Sequence, residues 1–430
     1  MQAFLTLLRE NRNYRYTWIG QIISEIGDHF NTIAVFSLAL KYTGSGKVVG
    51  GVLLARGLAV VTAGPVAGVL LDRADRKRLM LGSDLVRSVI ALAFLLCLIY
   101  PASWLLFVMS ALLMFASPFF TTGRAAILPA IATKEQLHTA NSLTQTTQWT
   151  TLAIGTLLGG TSVMQFGYGV AFILNAFSFI ASAVCISRLR VPGGFRARTE
   201  ALTEQRVLRP WHEYREGLRY VRGVPLLLGI VLIHVGWATG GGAAQLLFSL
   251  FGEVVFQKGA AGIGAIWSSA AIGLIAGGAI AHRYGESLSY STYKWTLSGC
   301  YLLHGMAYVA FSQMREFWAA LLFIALSRAA VGLTSVLNMT QMLRHVPDHF
   351  RGRVFSTIES LTWGTMMFSM TLAGYASDWM SPRTIGLWSG LLSSTTAIGW
   401  TWANLAGRIP EPPAAGVEPK EVEVHGDPTV

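Results

Sequence analysis

Gly68-Val-Leu-Leu-Asp72-Arg73-Ala-Asp75-Arg76-Lys77-Arg78 is the stretch on which the fold turns. Residues 48–71, just before its charges, carry a single charge, Arg56. Between Asp72 and Arg78, six of seven positions are charged, and the chain then turns apolar again. A dense knot of charge between two long apolar runs marks the return of a chain to water after crossing a bilayer. Composition points the same way. Of 430 residues, 53% are hydrophobic and 13% charged, where a soluble domain carries roughly 25% charged residues. That balance excludes a large soluble enzyme. The net charge of +11 reflects arginines held on one side of a membrane rather than nucleic-acid binding.

A bilayer core takes about 20 apolar helical residues. Twelve such runs fall near 16–40, 48–71, 79–99, 103–123, 142–166, 168–187, 224–250, 259–281, 293–313, 316–341, 354–378 and 384–406. With the N-terminus inside, most of the 33 Lys and Arg residues fall in cytoplasmic segments, which sets both termini in the cytoplasm. No cleavable signal peptide is expected, because the apolar run after Arg9, Arg12 and Arg15 is too long for one. The expected class is an all-α membrane protein with twelve transmembrane helices in two six-helix pseudo-repeated bundles. Its boundaries are 1–187 for the first bundle, 188–223 for a cytoplasmic linker, 224–408 for the second bundle and 409–430 for a disordered tail. In the linker, Trp211, Tyr214, Leu218 and Val221 share one helical face, which predicts a helix lying on the membrane surface. Cys97, Cys185 and Cys300 all sit in apolar runs and are expected to be buried free thiols.

The halves repeat weakly. Gly68 to Arg76 aligns with Gly278 to Glu286, and Ser142, Gln145, Trp149 and Thr151 align with Ser356, Glu359, Trp363 and Thr365. The near-constant offset places the second run on the eighth and the fifth on the eleventh. Parallel duplications of this kind build transporters whose halves rock about a central site.

At this point the knot acquires a family. Gly68-x-Leu70-x-Asp72-Arg73-x-x-Arg76-Lys77 resembles the loop between spans two and three of the major facilitator superfamily. The stretches "SEIGDHFNTIAV", "LPAIATKEQLHTANSL", "GLRYVRGVPLL" and "VPDHFRGRVFS" resemble its drug:proton antiporter branch, with macrolide-efflux and enterobactin-exporter-like proteins. In span five, the branch's Gly-Pro-x-x-Gly-Gly pattern reads Gly155-Thr156-x-x-Gly159-Gly160, without the proline. The resemblance implies that Asp72 meets the positive end of span eleven near Arg353 and so latches the cytoplasmic side. Gly68, Arg73, Arg76 and Lys77 complete that gating loop. The alternative is that its arginines and lysine serve only to orient the chain.

Ionisable groups inside spans are costly and mark function. Gln21, Glu25, Asp28 and Thr32 lie at spacings of four, three and four on one stripe of span one, with His29 beside it. Depth arithmetic at 1.5 Å per residue brings Asp28 level with Arg56, and places Arg328 and Glu359 within reach of each other. Two roles compete for these groups: proton uptake and release by Asp28 or Glu25, or permanent ion pairs that fix packing. His29 is a further proton candidate, whereas His234 and His304 are expected to be packed or hydrogen-bonded. Gln145, Gln148, Trp149 and Trp363 are expected to line a substrate cavity.

The implied function is a multi-pass secondary transporter of the bacterial cytoplasmic (inner) membrane. It would export a hydrophobic or amphipathic small molecule by proton antiport, as a monomer in the lipid bilayer. Alternatives of the same fold are a lipid or lysolipid flippase and a siderophore exporter; a non-transporting sensor is a further class. No GxxxxGK[ST] loop, Ser/His/Asp arrangement or metal-ligand spacing occurs, so no cofactor, metal or enzymatic activity is expected, and no nucleic acid as partner.

Overall fold

The computed structural model describes residues 2–190 and 210–413. The side chains of Gln2, Asp72, Lys134, His138, residues 210–213, Glu286, Asp348 and His349 lie outside that description, as does the expected tail beyond 413. The described residues are helical throughout: α1 (Gln2–Glu10), α2 (Arg12–Thr43), α3 (Gly46–Arg73), α4 (Arg76–Ala93), α5 (Leu96–Ile99), α6 (Ser103–Ile131), α7 (Lys134–Phe166), α8 (Tyr168–Ser187), α9 (Pro210–Gly223), α10 (Pro225–Leu250), α11 (Gly259–Tyr284), α12 (Tyr290–Gln313), α13 (Phe317–His345), α14 (Asp348–Ala376) and α15 (Pro382–Leu405).

Each apolar run falls in one of these helices to within two residues, the third being split between α4 and α5. Side-chain caps fix many boundaries. Asn11, Ser45, Asp75, Ser289 and Ser381 each accept a backbone N–H of the helix they precede, and Thr133 with Gln136 forms a capping box at α7. The helix of α10 runs on through a π turn to Val255. Seven of the helical segments, counting this extended one, are long and apolar enough to cross a membrane. The long helices α2, α7, α12, α14 and α15 are less apolar, and α2 and α7 carry the polar residues of the site below.

The pairings repeat between the halves of the chain. Helix α2 packs on α7 and α8, α3 on α6, and α4 on α6 and α8. In the same pattern, α10 packs on α14 and α15, α11 on α13, and α12 on α13 and α15. The two most extensive contacts between the sets are α7 with α11 and α3 with α14. They correspond under the same repeat.

These cross-contacts are tightest at the end of the bundle away from α9. A methyl group on Gly160 would lie 2.4 Å from the carbonyl oxygen of Ala260, and one on Gly264 would lie 2.3 Å from that of Thr156. Glycine there lets two backbones meet. Gly50 faces Gly374, and Lys47 is ion-paired with Asp378. Toward the α9 end, nothing among the described residues lies within 4 Å of a methyl at Gly64 or Gly68 of α3, or at Gly352 or Gly364 of α14.

Asp75, Arg76 and Lys77 of the charged knot meet main-chain groups. Asp75 caps α4 by accepting from Arg78 N at 3.0 Å. Arg76 donates to Ala126 O at 2.8 Å near the end of α6, and Lys77 donates to Ser187 O and Leu189 O at the end of α8. Lys77 thus satisfies free carbonyls at the C-terminal end of α8, as Arg76 Nε does at that of α3 by donating to Leu71 O at 3.3 Å. Arg73 is exposed. The linker helix α9 also departs from expectation. Rather than presenting its apolar side only to lipid, it docks on α14. Gly217 sits against Arg353 O, Tyr220 stacks on Phe350 at 4.5 Å, Val221 is fully buried, and Glu216 pairs with Arg353 at 3.1 Å. The cysteines are free, but only Cys97 is fully buried.

Candidate functional site

The polar stripe of α2 faces α4, α6 and α7. Gln21, almost fully buried, donates from Nε2 to Glu25 Oε1 at 2.8 Å. Thr151 of α7 donates from Oγ1 to Glu25 Oε2 at 2.6 Å. Its hydroxyl also lies within range of two carbonyls of its own helix, but it has one hydrogen, and a carboxylate is the stronger acceptor. Arg124 of α6 approaches Glu25 Oε1 at 3.6 Å. Glu25 therefore has a partner on every side.

Asp28 does not. One turn further along α2, its Oδ2 lies 3.8 Å from Arg87 Nη1 of α4, and its Oδ1 is buried with no hydrogen-bond partner among the described residues. Arg87 is already committed. It is paired with Asp84, one turn back on α4, and its guanidinium lies between Phe120 at 4.7 Å and Phe179 at 4.3 Å. Arg87 is 2% exposed and Asp84 0%. Two carboxylates thus compete for one buried arginine.

The expected Asp28–Arg56 pair does not form. Arg56 Nη2 instead donates to Thr32 Oγ1 at 3.1 Å and contacts Met114 Sδ, with its guanidinium 5.7 Å from the Phe36 ring. Equal depth in the bilayer put the two residues level, but Arg56 points to the next turn of α2. The second expected pair is absent too. Glu359 is exposed on α14, whereas Arg328 is buried on α13 and stacks on Phe248 at 5.2 Å.

The polar run of α7 divides by face. Thr144, Thr147 and Thr151 turn to α2, where Trp18 donates to Thr147 at 2.8 Å and Tyr14 meets Thr144 at 3.3 Å. Gln145 and Gln148 are left exposed. Trp149 packs on Gly278 of α11, and Trp363 is 45% exposed on α14. His29 fills the space left by Gly155, and Gly159 lies on the Phe30 backbone. His234 and His304 are hydrogen-bonded, to Ile230 O and to Ser327 respectively. A cleft of about 550 Å³ at the end away from α9, lined in part by Phe256, Lys258, Arg315 and Trp318, holds none of these residues.

Three charged residues of this network escape a sequence reading: Asp84, Arg87 and Arg124. The signal for the first two was present, an Asp-x-x-Arg spacing inside an apolar run. Arg124 falls just beyond the expected end of its span.

A sequence profile of the Major Facilitator Superfamily matches residues 17–364. The chain belongs to that superfamily. It is a multi-pass membrane protein with transporters, not enzymes, for relatives. It is 27% identical over 397 residues to the uncharacterised MFS-type transporter YfiS of Bacillus subtilis, covering 90% of this chain and 92% of that protein. It is 24% identical to a putative bacilysin exporter, BacE, of Bacillus amyloliquefaciens, covering 81% and 84%. It is 20% identical to macrolide efflux protein A of Streptococcus pyogenes, covering 89% and 93%. The fold is similar to that of the nucleoside transporter NupG, at a TM-score of 0.71 and 11% identity, covering 91% of this chain and 99% of that one.

Proposed function

We propose that this superfamily member is a twelve-span exporter of the bacterial cytoplasmic membrane that moves a hydrophobic or amphipathic small molecule outward in exchange for protons. Both termini and α9 lie on the cytoplasmic side, and the chain acts as a monomer of two six-helix bundles. The relatives named as exporters support the direction of transport. The tight contact of α7 with α11 and of α3 with α14 away from α9 supports an inward-open state, ready to load from the cytoplasm.

The observation that carries proton coupling is the imbalance at Asp28. Glu25 has Gln21, Thr151 and Arg124. Asp84 has Arg87. Asp28 has only the outer reach of an arginine already taken, and one of its oxygens is buried and unpartnered. Asp84 Oδ2 is buried without a partner as well, but Asp84 is paired directly with Arg87, whereas Asp28, 26% exposed, has no partner among the described residues nearer than 3.8 Å. A charge so weakly compensated is expensive, and this carboxylate is the proposed proton carrier. When the halves rock, a shift of Arg87 between Asp84 and Asp28 would release it. Gln145, Gln148, Trp149, Trp363 and His29 are proposed to border the substrate path. Arg73, Arg76 and Lys77 are proposed to hold the cytoplasmic ends of α4, α6 and α8 together as one rocking body.

Uptake of a panel of dyes and antibiotics into everted vesicles, with and without a proton ionophore, tests this. Accumulation that depends on the protein and collapses with the ionophore is the expected result. Accumulation that ignores the ionophore would remove the proton from the mechanism.

A further inference from the structure

Arg328 is 8% exposed, and no carboxylate lies within 4 Å of it among the described residues. The acids that could have served it are placed elsewhere. Asp378 pairs with Lys47, Glu216 with Arg353, and Glu253 accepts from Ser37 at 2.9 Å; Glu359 is exposed. The guanidinium rests on an aromatic cluster that holds two further polar groups. Phe248 of α10 carries Arg328 on its ring and meets Trp267 of α11 edge-on at 5.1 Å. Through Phe311, 6.0 Å from Phe248 and 5.6 Å from Tyr308, the cluster reaches Tyr308 of α12. Trp267 Nε1 and Tyr308 Oη are both buried with no hydrogen-bond partner among the described residues. His304 is engaged with Ser327 Oγ at 2.8 Å.

A tryptophan N–H can only donate, and a guanidinium presents donors in a fork that matches two oxygens. Helices α10, α11, α12 and α13 have therefore contributed to one aromatic cluster a cation, an unpartnered indole N–H and an unpartnered phenol, with no carboxylate among the described residues within 4 Å of the cation. The face of Phe248 offsets only part of what burial costs a guanidinium. What the cluster lacks is an anion.

We propose that Arg328, Tyr308 and Trp267 form the binding site for an anionic oxygen group, a carboxylate, phosphate or phenolate, carried by the transported molecule. This assignment rests on the exporter function proposed above and narrows its substrates to amphipathic anions. The aromatic rings of Phe248 and Phe311 bound the site, so an aryl or otherwise apolar body next to the anionic group suits it.

The test is equilibrium binding to the purified full-length protein in detergent, followed by tryptophan fluorescence, with no proton gradient. The probes are 2-naphthoate, its methyl ester and a naphthyl-trimethylammonium ion. The expected result is a preference of about tenfold or more for the carboxylate over the ester, the size of one charge-assisted contact. Arg328→Gln should erase that preference, Arg328→Lys should keep part of it, and Tyr308→Phe should weaken carboxylate binding a few-fold while leaving the ester unchanged. Thermal melting without probe separates this from a structural role. A ligand site predicts that Arg328→Gln melts no lower than the natural protein, whereas an arginine required for packing predicts a fall. Equal binding of all three probes, failure to bind the carboxylate, or an unchanged preference in Arg328→Gln would overturn the proposal. So would competition by inorganic phosphate as strong as that by naphthoate, which would make this a free-anion site. An anion preference in binding without ionophore-sensitive uptake would sink proton export and leave this site standing. Ionophore-sensitive uptake with no anion preference would do the reverse.

Discussion

Arg87 and Arg328 are the same residue in nearly the same circumstances. Both are buried, both lie on α-helices of the apolar bundle, and both stack on phenylalanine. They differ in what faces them. Arg87 has two carboxylates, Asp84 and Asp28, delivered by α4 and α2. Arg328 has an aromatic cluster that holds the unpartnered Tyr308 and Trp267, and no acid within 4 Å among the described residues. The first half of the chain thus carries three buried or half-buried acids, Glu25, Asp28 and Asp84, among three arginines, and its charge is balanced from within. The corresponding region of the second half carries a cation in excess. Two copies of one helical pattern thus differ in the charge they bury, which is the difference that the proposed proton site and the proposed anion site draw on.

The most severe way to break this comparison is Asp28→Asn. If the balance in the first half is a proton site, uphill transport in vesicles should fall by about a hundredfold or more, the usual scale for a lost proton-transfer group. Downhill exchange of loaded substrate should persist. An Asp28→Asn variant that still concentrates substrate would leave the network purely structural. Next in size is Arg87→Met. It strands Asp84 and Asp28 without compensation, and breaking a buried pair in this way costs about 3–5 kcal/mol. Melting of the purified protein should drop accordingly, and Asp84→Leu added to it should recover much of the loss; independent additive losses would show that the two residues do not act as a pair. Gly160→Val probes the other contrast, between the closed end and the open one. The new side chain must push Ala260 away, a strain of about 1–3 kcal/mol, and spin-label distances between the tips of α7 and α11 should lengthen. Unchanged distances would mean the contact does not hold the inward-open state. The smallest effect is expected from Glu359→Gln, since an exposed position away from any partner changes stability by about 0.5 kcal/mol or less. A loss of transport as large as that of Asp28→Asn would give the second half an acid of its own and erase the difference between the halves.

Much of this arrangement was legible along the chain. Hydropathy located the apolar runs because a helix must bury every backbone polar group before it can enter lipid. The glycines at 159 and 160 marked a close approach, and they make one, to Phe30 and Ala260. The family came from residues as well: the loop at Gly68–Lys77 and stretches such as "SEIGDHFNTIAV" and "VPDHFRGRVFS". Pairing was less accessible. Asp28 and Arg56 share a depth but not a direction, and depth is all that a rise per residue supplies. Arg76 and Lys77 donate to main-chain carbonyls of α6 and α8, partners that no spacing along the chain announces. Of the apolar face expected on α9, Val221 is buried, and Gly217 and Tyr220 beside it meet α14.

What the sequence determined by itself was the one-dimensional part: which segments are helices, which of them are apolar, and which polar side chains lie far from either end. These follow from local propensity, from period and from the cost of placing charge in hydrocarbon, none of which depends on neighbours distant in the chain. Only the tertiary structure decided that Arg87 serves Asp84 before Asp28, that Arg124 and Thr151 close around Glu25, and that Arg328 rests on an aromatic cluster. The physical reason is reach. An ion pair forms between side chains a few ångströms apart, and the azimuth of each helix, set by the packing of all the others, decides which ones those are.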